Sequence, residues 1–355
     1  MSYPKLRVDI NKIKHNTKTM KDRITGNGME TMAAVTKVFC GNKEIAQGFV
    51  DGGADFLADS RIQNLEKLAD FSVPKMLLRI PMLSEVDDVV KYADISLNSE
   101  IETLKALNEA AKGKKHKVIL MVDLGDLREG FFQEEDFYEA VEAVLSMENL
   151  ELHGVGVNLT CYGAVIPKPE ILKRLDDYRQ GVKDKFDYDL KIVSGGNSSS
   201  VYMLGKDELP GINNLRLGEC LVLGTESSYG EDVEGLYTDA WTFQAQIIEL
   251  KEKPSVPTAD ELGVDAFGNK PTFVDRGVRK RAIIAVGKQD VDNEKIVPKD
   301  SGIIVLGGSS DHTILDVTDA SWECKVGDVI DFGVNYAAIL SLCTSEYVEK
   351  EVYEG

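Results

Sequence analysis

The sequence predicts a closed eight-stranded parallel β/α barrel of the TIM type followed by a mainly β C-terminal domain. Three observations predict it. Eight short runs rich in Val, Ile and Leu fill the first two thirds of the chain, stretches of helical periodicity separate them, and after about residue 236 strands follow one another without helices. A chain of 355 residues, 43% hydrophobic and 28% charged, has room for a barrel domain over 1–235 and a smaller β domain over 236–355.

In order, the runs are ETMAAVTKV (30–38), DFLAD (55–59), KMLLRI (75–80), DISL (94–97), KVILMVDL (117–124), LHGVGVNL (152–159), LKIVS (190–194) and NLRLGECLVL (214–223). Between them, 43–52, 61–70, 84–92, 99–112, 134–147 and 169–185 repeat apolar residues at three and four positions, as crossover helices do. Eight such units in about 225 residues match a closed barrel, whose reactive groups sit at the carboxyl ends of its strands. An open doubly wound sheet is the alternative, but the turn after the first run reads TKVFCGN and lacks the GxGxxG fingerprint. KLRVDI (5–10) precedes the first helix and has no barrel slot, which leaves the C-terminal sheet as its partner. That sheet is built from WTFQAQIIEL, RAIIAVG, SGIIVLGG, HTILDVTD and DVIDFG, and the Lys-, Pro-, Asp- and Gly-rich stretch 252–279 reads as a mobile insertion.

With 41 Lys and Arg against 60 Asp and Glu, the net charge of −19 repels phosphate backbones and anionic membranes, so neither nucleic acid nor membrane is an expected partner. The five cysteines show no CxxC spacing, which points away from a zinc site or a disulfide framework and suits a reducing cytoplasm. MSYPKLRVDINKIKHN lacks the apolar core of a signal peptide, and no apolar run reaches the roughly 18 residues of a membrane helix. A cytoplasmic protein acting on a small molecule is the expectation.

Three places on the strands could carry chemistry. Lys37 closes the first run at the barrel rim, where a partly desolvated amine can form an imine with an aldehyde; a solvated rim lysine is the plain alternative. The seventh run ends in SGGNSSS (194–200), a loop able to wrap a phosphate or simply a capped polar turn. Arg216, between Leu215 and Leu217, is a buried guanidinium that needs an acceptor, either a structural partner or a ligand.

AVTKVFCG, SGGNSSS, RLGECLVLG and GGSSDHTILDVTD fall in the order seen in the fold-type-III pyridoxal 5'-phosphate (PLP) enzymes. The chain resembles the alanine racemase-like family from RVDINKIKHN to its C-terminal domain. It is most similar to the ornithine racemase branch, in which TKVFCG, ADSRIQN, LLRIP, VDLGDLREGF and SGGNSSS are familiar blocks.

The resemblance implies a role for each site residue. Lys37 matches the lysine that binds PLP as a Schiff base and serves as acid and base on one face of the substrate Cα. Ser194, Gly195, Gly196, Asn197 and Ser198, with Gly218, match the phosphate site. Arg216 matches an arginine facing the pyridine nitrogen, which favours racemisation; a carboxylate there, as in decarboxylases of this fold, makes the ring a deeper electron sink. Arg128 matches a residue near the substrate carboxylate, and Asn158 stands where alanine racemases carry a histidine. Arg61 and Arg79 bind carboxylate or pair with neighbouring acids.

Inversion needs a proton donor on each face, and alanine racemases take the second, a tyrosine, from a partner subunit. The corresponding stretch here reads AVGKQDVD, with Lys288 at the tyrosine's place. His312 in SSDHT is the chemically apt substitute, since histidine ordinarily titrates near neutrality. Ser310 and Asp311 beside it match substrate-binding positions. A homodimer joining one barrel mouth to another subunit's β domain is implied, with Asp290, Asp292 and Asp311 available to a substrate's distal amine. The readings that compete with a basic amino-acid or alanine racemase are a PLP carrier, which lacks the β domain, and a decarboxylase or metal-dependent aldolase on the same scaffold. Arg216 and the lack of a His/Cys cluster speak against the last two.

Overall fold

The chain opens on β1 (Lys5–Asp9) and α1 (Ile10–Gly26), after which every apolar run becomes a strand. These are β2 (Thr31–Val35), β3 (Phe56–Asp59), β4 (Lys75–Leu77), β5 (Ile95–Asn98), β6 (His116–Val122), β7 (Leu150–Val157), β8 (Ile192–Ser194) and β9 (Asn214–Leu217). The computed structural model describes residues 2–209 and 211–355. In it β2 to β9 form a closed parallel barrel, sealed where β9 pairs with β2 from Thr31↔Asn214 to Ala34↔Leu217. All eight carboxyl ends therefore lie on one rim.

The barrel interior follows from the period-2 geometry of a strand. Ala33 and Val35 of β2, Ile95 and Leu97 of β5, and Ile119 and Met121 of β6 join Ala58, Met76 and Ile192 in one buried cluster. Gly156 of β7 makes room for it, because a Cβ there would stand 3.0 Å from the Met121 sulfur. Crossovers are α2 (Lys43–Asp51), α3 (Ile62–Lys67), α4 (Val86–Tyr92), α5 (Ile101–Ala110), α6 (Glu134–Ser146) and α7 (Pro169–Phe186). Each turns its three-and-four-spaced residues inward, as with Leu172, Leu175, Tyr178 and Val182 of α7. Two details depart from expectation. Among the described residues the link from β8 to β9 holds a 3-10 turn, Ser198–Met203, and no α-helix, and the last run is strand only to Leu217, after which α8 (Glu219–Leu223) coils up from Gly218. A continuous apolar run has no period with which to announce that switch.

The chain divides into two units, Ile10–Thr238 and a second one that joins β1 to Asp239–Gly355. β1 pairs antiparallel with β10 (Trp241–Pro254). The strands β11 (Val278–Ile284), β12 (Ile296–Pro298), β13 (Ile304–Gly308), β14 (Thr313–Asp316) and β15 (Val329–Val334) continue the sheet in the order β12-β15-β10-β11-β14-β13. After α9 (Tyr336–Thr344), β16 (Glu349–Tyr353) runs parallel to β1. The opening strand thus belongs with the β unit, because both its neighbours lie there, and the unit boundary falls at 238/239 rather than 235/236.

The stretch 252–279 is sheet at both ends, with Lys253↔Arg279 and Pro254↔Val278 in register, and only 255–277 forms the connection. Alternating charge on an exposed ladder hides such a strand from a hydrophobicity reading. For the same reason the charged β16 escapes notice, whereas α9 is an apolar run started by Asn335, whose side chain accepts the Ala338 N–H at 3.0 Å.

Candidate active site

Lys37 begins a 3-10 turn, Lys37–Phe39, directly after β2, and is half-buried. Glu219, the first residue of α8, is its electrostatic neighbour. Burial pushes the Glu219 carboxyl above the usual range, while Ser227 and Thr225 hydrogen bonds and the Lys37 charge pull it back.

The loop after β8 is organised by Asn197, whose side-chain oxygen accepts the Ser199 N–H at 2.8 Å and whose Nδ2 reaches the Leu159 carbonyl at 3.0 Å. Gly196 has φ +106°, a backbone setting that favours glycine. Ser198 Oγ accepts the N–H groups of Gly218 at 3.3 Å and Cys220 at 3.2 Å, which draws the loop onto the start of α8. Ser199 Oγ is buried without a partner among the described residues. The turn therefore offers two hydroxyl protons beside a helix start and flexible glycines, a donor set that fits a phosphate.

Arg216 lies buried in β9, donating Nη2 to the Val157 carbonyl at 2.7 Å and Nη1 to Ser194 Oγ, which in turn donates to Asn214 Oδ1 at 2.6 Å. Burial lowers its pKa to about 10, opposed by Glu129, so the guanidinium stays charged at neutral pH. Asn158, at the end of β7, places its amide between Asn197 Nδ2 at 2.9 Å and the Arg128 guanidinium. Arg128 pairs with Glu129, whose hydrogen bond and charge raise the arginine's pKa. Lys37, the loop 194–198, Gly218, Arg216, Asn158 and Arg128 thus belong to one strand-end cluster. Arg79 pairs with Glu85 at 3.1 Å, and Arg61 is exposed.

Lys288, Ser310, Asp311 and His312 come together on the β unit. The Lys288 and Gln289 N–H groups donate to the Ser309 and Ser310 carbonyls, both at 2.9 Å. Gly287 permits that approach, since a Cβ there would lie 2.5 Å from the Ser310 carbonyl. His312 Nδ1 is 2.8 Å from Asp311 Oδ1, and that contact holds the Asp311 carboxyl below its usual range. The Lys288 ammonium rests 4.4 Å from the Phe267 ring centroid. Of the other two acids, Asp290 is buried and accepts from Ser345 Oγ at 2.6 Å, whereas Asp292, which caps a 3-10 turn, is exposed like Asp311.

Two buried carboxylates escape a sequence reading. Asp126 accepts the N–H groups of Thr160 (2.9 Å), Tyr162 (2.9 Å) and Val165 (3.1 Å), which fixes the loop after β7. Asp59 holds the residue before Lys37, its Oδ2 accepting from Thr36 Oγ1 at 2.7 Å. Nothing in DLGDL sets Asp126 apart, whereas Asp59 in ADSRIQN stands before a helix, where a capping carboxylate is expected.

A family model described as the alanine racemase N-terminal domain matches residues 8–226. The chain belongs to the alanine racemase family. It is an amino-acid racemase with an alanine racemase fold, and members of this family are PLP enzymes. It is 54% identical over 353 residues to an ornithine racemase of Acetoanaerobium sticklandii, with 99% of each chain covered. It is 40% identical over 359 residues to a lysine racemase of Thermotoga maritima, with 100% of this chain and 99% of that one covered. Among solved structures, alanine racemase from a D-cycloserine-producing Streptomyces lavendulae superposes with a TM-score of 0.78 at 16% identity, covering 100% and 98% of the two chains. Among the described residues no helix is long and apolar enough to cross a membrane, and no cluster of His, Cys, Asp and Glu could hold a metal ion.

Proposed function

We propose that the chain racemises a basic amino acid, ornithine foremost, as a cytoplasmic PLP-dependent homodimer. The observation that carries this reading is the strand-end cluster of Lys37, the Ser198–Gly218 turn and Arg216, taken with full-length similarity to racemases of ornithine and lysine. Ser194, Gly195, Gly196, Asn197, Ser198 and Gly218 would hold the phosphate, Lys37 the aldehyde carbon, and Arg216 would face the pyridine nitrogen with Asn158 beside the ring. When bound, PLP supplies the electron sink that makes the substrate Cα–H acidic.

The chain's own groups do the rest. Lys37 moves the Cα proton on one face. Arg128, oriented by its two-point pairing with Glu129, supplies positive charge for the substrate carboxylate. Arg216 keeps its protons at neutral pH, so it has none to pass to the ring nitrogen, which limits the charge the ring draws off and favours return of a proton to Cα. The opposite face falls to His312 of a second copy. Its Nδ1 is engaged by Asp311, which leaves Nε2 for the proton, whereas the Lys288 ammonium is committed to the Phe267 ring. Ser310 and Asp311 are suited to the distal end of a cationic substrate.

A PLP-loaded sample offered a panel of L-amino acids and read by chiral chromatography tests the proposal. Fastest turnover of ornithine or lysine supports it. Bound PLP without racemisation of any of them would instead mark a carrier.

A further inference from the structure

The turn that presents Lys37 is held at both ends by one buried carboxylate of the neighbouring strand. At its start, Thr36 is buried, and its hydroxyl donates to Asp59 Oδ2 at 2.7 Å and toward the Ala58 carbonyl at 3.2 Å. The other carboxylate oxygen, Oδ1, accepts the Arg61 N–H at 2.9 Å and Asn64 Nδ2 at 3.1 Å. Asn64 carries the restraint to the end of the turn, where Gly41, at φ +63°, passes so close that a Cβ would lie 3.0 Å from the Asn64 Cβ. Lys67 closes the loop of contacts, donating to Asn64 Oδ1 at 3.2 Å and to the Cys40 carbonyl at 2.9 Å. Asp59 is fully buried and all its described partners are donors, so its place is fixed by hydrogen bonds rather than by an ion pair.

We propose that Asp59, acting through Thr36 and Asn64, is a positioning residue that sets where the Lys37 amine meets the cofactor aldehyde and the substrate Cα. The inference rests on the reading of Lys37 as the PLP lysine. A lysine side chain has four flexible methylenes, so the reach of its nitrogen is only as well defined as the backbone that launches it. A displacement of about 1 Å at a reacting group can cost on the order of a hundredfold in rate. The ADSRIQN segment thereby acquires a role, since its Asp59 and Asn64 brace the turn on the adjacent strand.

The hydrogen-bond inventory supplies a discriminating pair of variants. In Asp59→Asn the amide NH2 can donate to Thr36 Oγ1 while the hydroxyl donates to the Ala58 carbonyl, and the amide oxygen still accepts from Arg61 and Asn64. That variant keeps the clamp and removes only the charge. Thr36→Val keeps the volume and removes the clamp, and Thr36→Ser restores it.

The test uses the full-length protein loaded with PLP, with far-UV circular dichroism and Tm to verify folding. The readouts are PLP dissociation followed by the visible absorbance of lysine-bound PLP, and kcat and KM for ornithine. Thr36→Val and Asp59→Ala should weaken PLP retention tenfold or more and lower kcat tenfold or more, with KM within about twofold of wild type. Thr36→Ser and Asp59→Asn should stay within about threefold on every readout. Wild-type retention and kcat in folded Thr36→Val overturn the proposal, as does a collapse in Asp59→Asn equal to that in Asp59→Ala, which would assign the effect to charge. Asp59→Ala can fail to fold without loss of the test, because Thr36→Val decides alone. Lys37→Ala is the control: if it keeps the visible band, the PLP-lysine reading itself fails, whereas its loss beside an unaffected Thr36→Val sinks only the clamp.

Discussion

Replacing His116 with glutamine should remove a definite part of the protein's sensitivity to acid. His116 opens β6, is buried, and pairs its Nε2 with Ser96 Oγ at 2.8 Å, while Ser96 Oγ also accepts from Asn98 Nδ2 at 3.0 Å. Burial first, and the nearby Lys114 second, lower the imidazole pKa from 6.5 to about 4. A depressed histidine pKa means that the unfolded chain takes up a proton which the native state refuses. Stability is therefore fully present above about pH 7, falls as pH drops through 6.5, and levels off below about 4. From those two pKa values the loss between pH 7 and pH 5 is about 2 kcal/mol, and the limiting loss is about 3 kcal/mol. The glutamine amide reaches Ser96 as Nε2 does but does not titrate. Urea unfolding at pH 7, 6 and 5, at one protein concentration, should show the wild-type advantage shrinking by about 2 kcal/mol as pH falls. Parallel stability curves for the two proteins would rule this out, since they would mean that the imidazole either protonates in place or is solvated.

Three further outcomes follow from the geometry. Gly287→Ala forces a Cβ to within 2.5 Å of the Ser310 carbonyl and should displace the His312 turn, so racemisation should fall at least tenfold while PLP absorbance is retained, as chiral chromatography and a visible spectrum will read. His312→Gln should lower racemisation at least a hundredfold, whereas Lys288→Met should leave more than a tenth of the activity; the reverse ranking would make Lys288 the second base. Arg216→Met removes the donors to the Val157 carbonyl and Ser194 Oγ, and a buried acceptor left without a donor should cost about 1–3 kcal/mol in urea unfolding, together with a lower kcat.

The barrel was legible because parallel strands buried on both faces must be apolar throughout, so β2 to β9 stand out as runs bounded by helical periodicity. What hid was whatever lies exposed or changes period within a run: β16 with its alternating charge, the outer end of β10, and α8 behind Gly218. In the candidate site, Lys37 and SGGNSSS stand out by residue type after their strands and Arg216 as a charge within an apolar one, and the closed barrel puts the carboxyl ends of those strands on one rim. The order of motifs could place His312 in the β domain but not supply its surroundings, because the Gly287 approach to its turn arises only when β11 and β14 pair. Asp126 was invisible for a different reason. A sequence shows a carboxylate without saying that it will be buried against three backbone N–H groups of a loop some 35 residues on.

The proposed racemisation of a basic amino acid depends above all on the Lys37 amine carrying PLP. Borohydride reduction of the loaded protein, followed by proteolysis and mass spectrometry, reads that bond without intermediaries. A phosphopyridoxyl group is expected on the peptide containing Lys37, with Lys37→Ala unlabelled and inactive toward ornithine. A label confined to another lysine, or full racemase activity in Lys37→Ala, would show that a different group does this work.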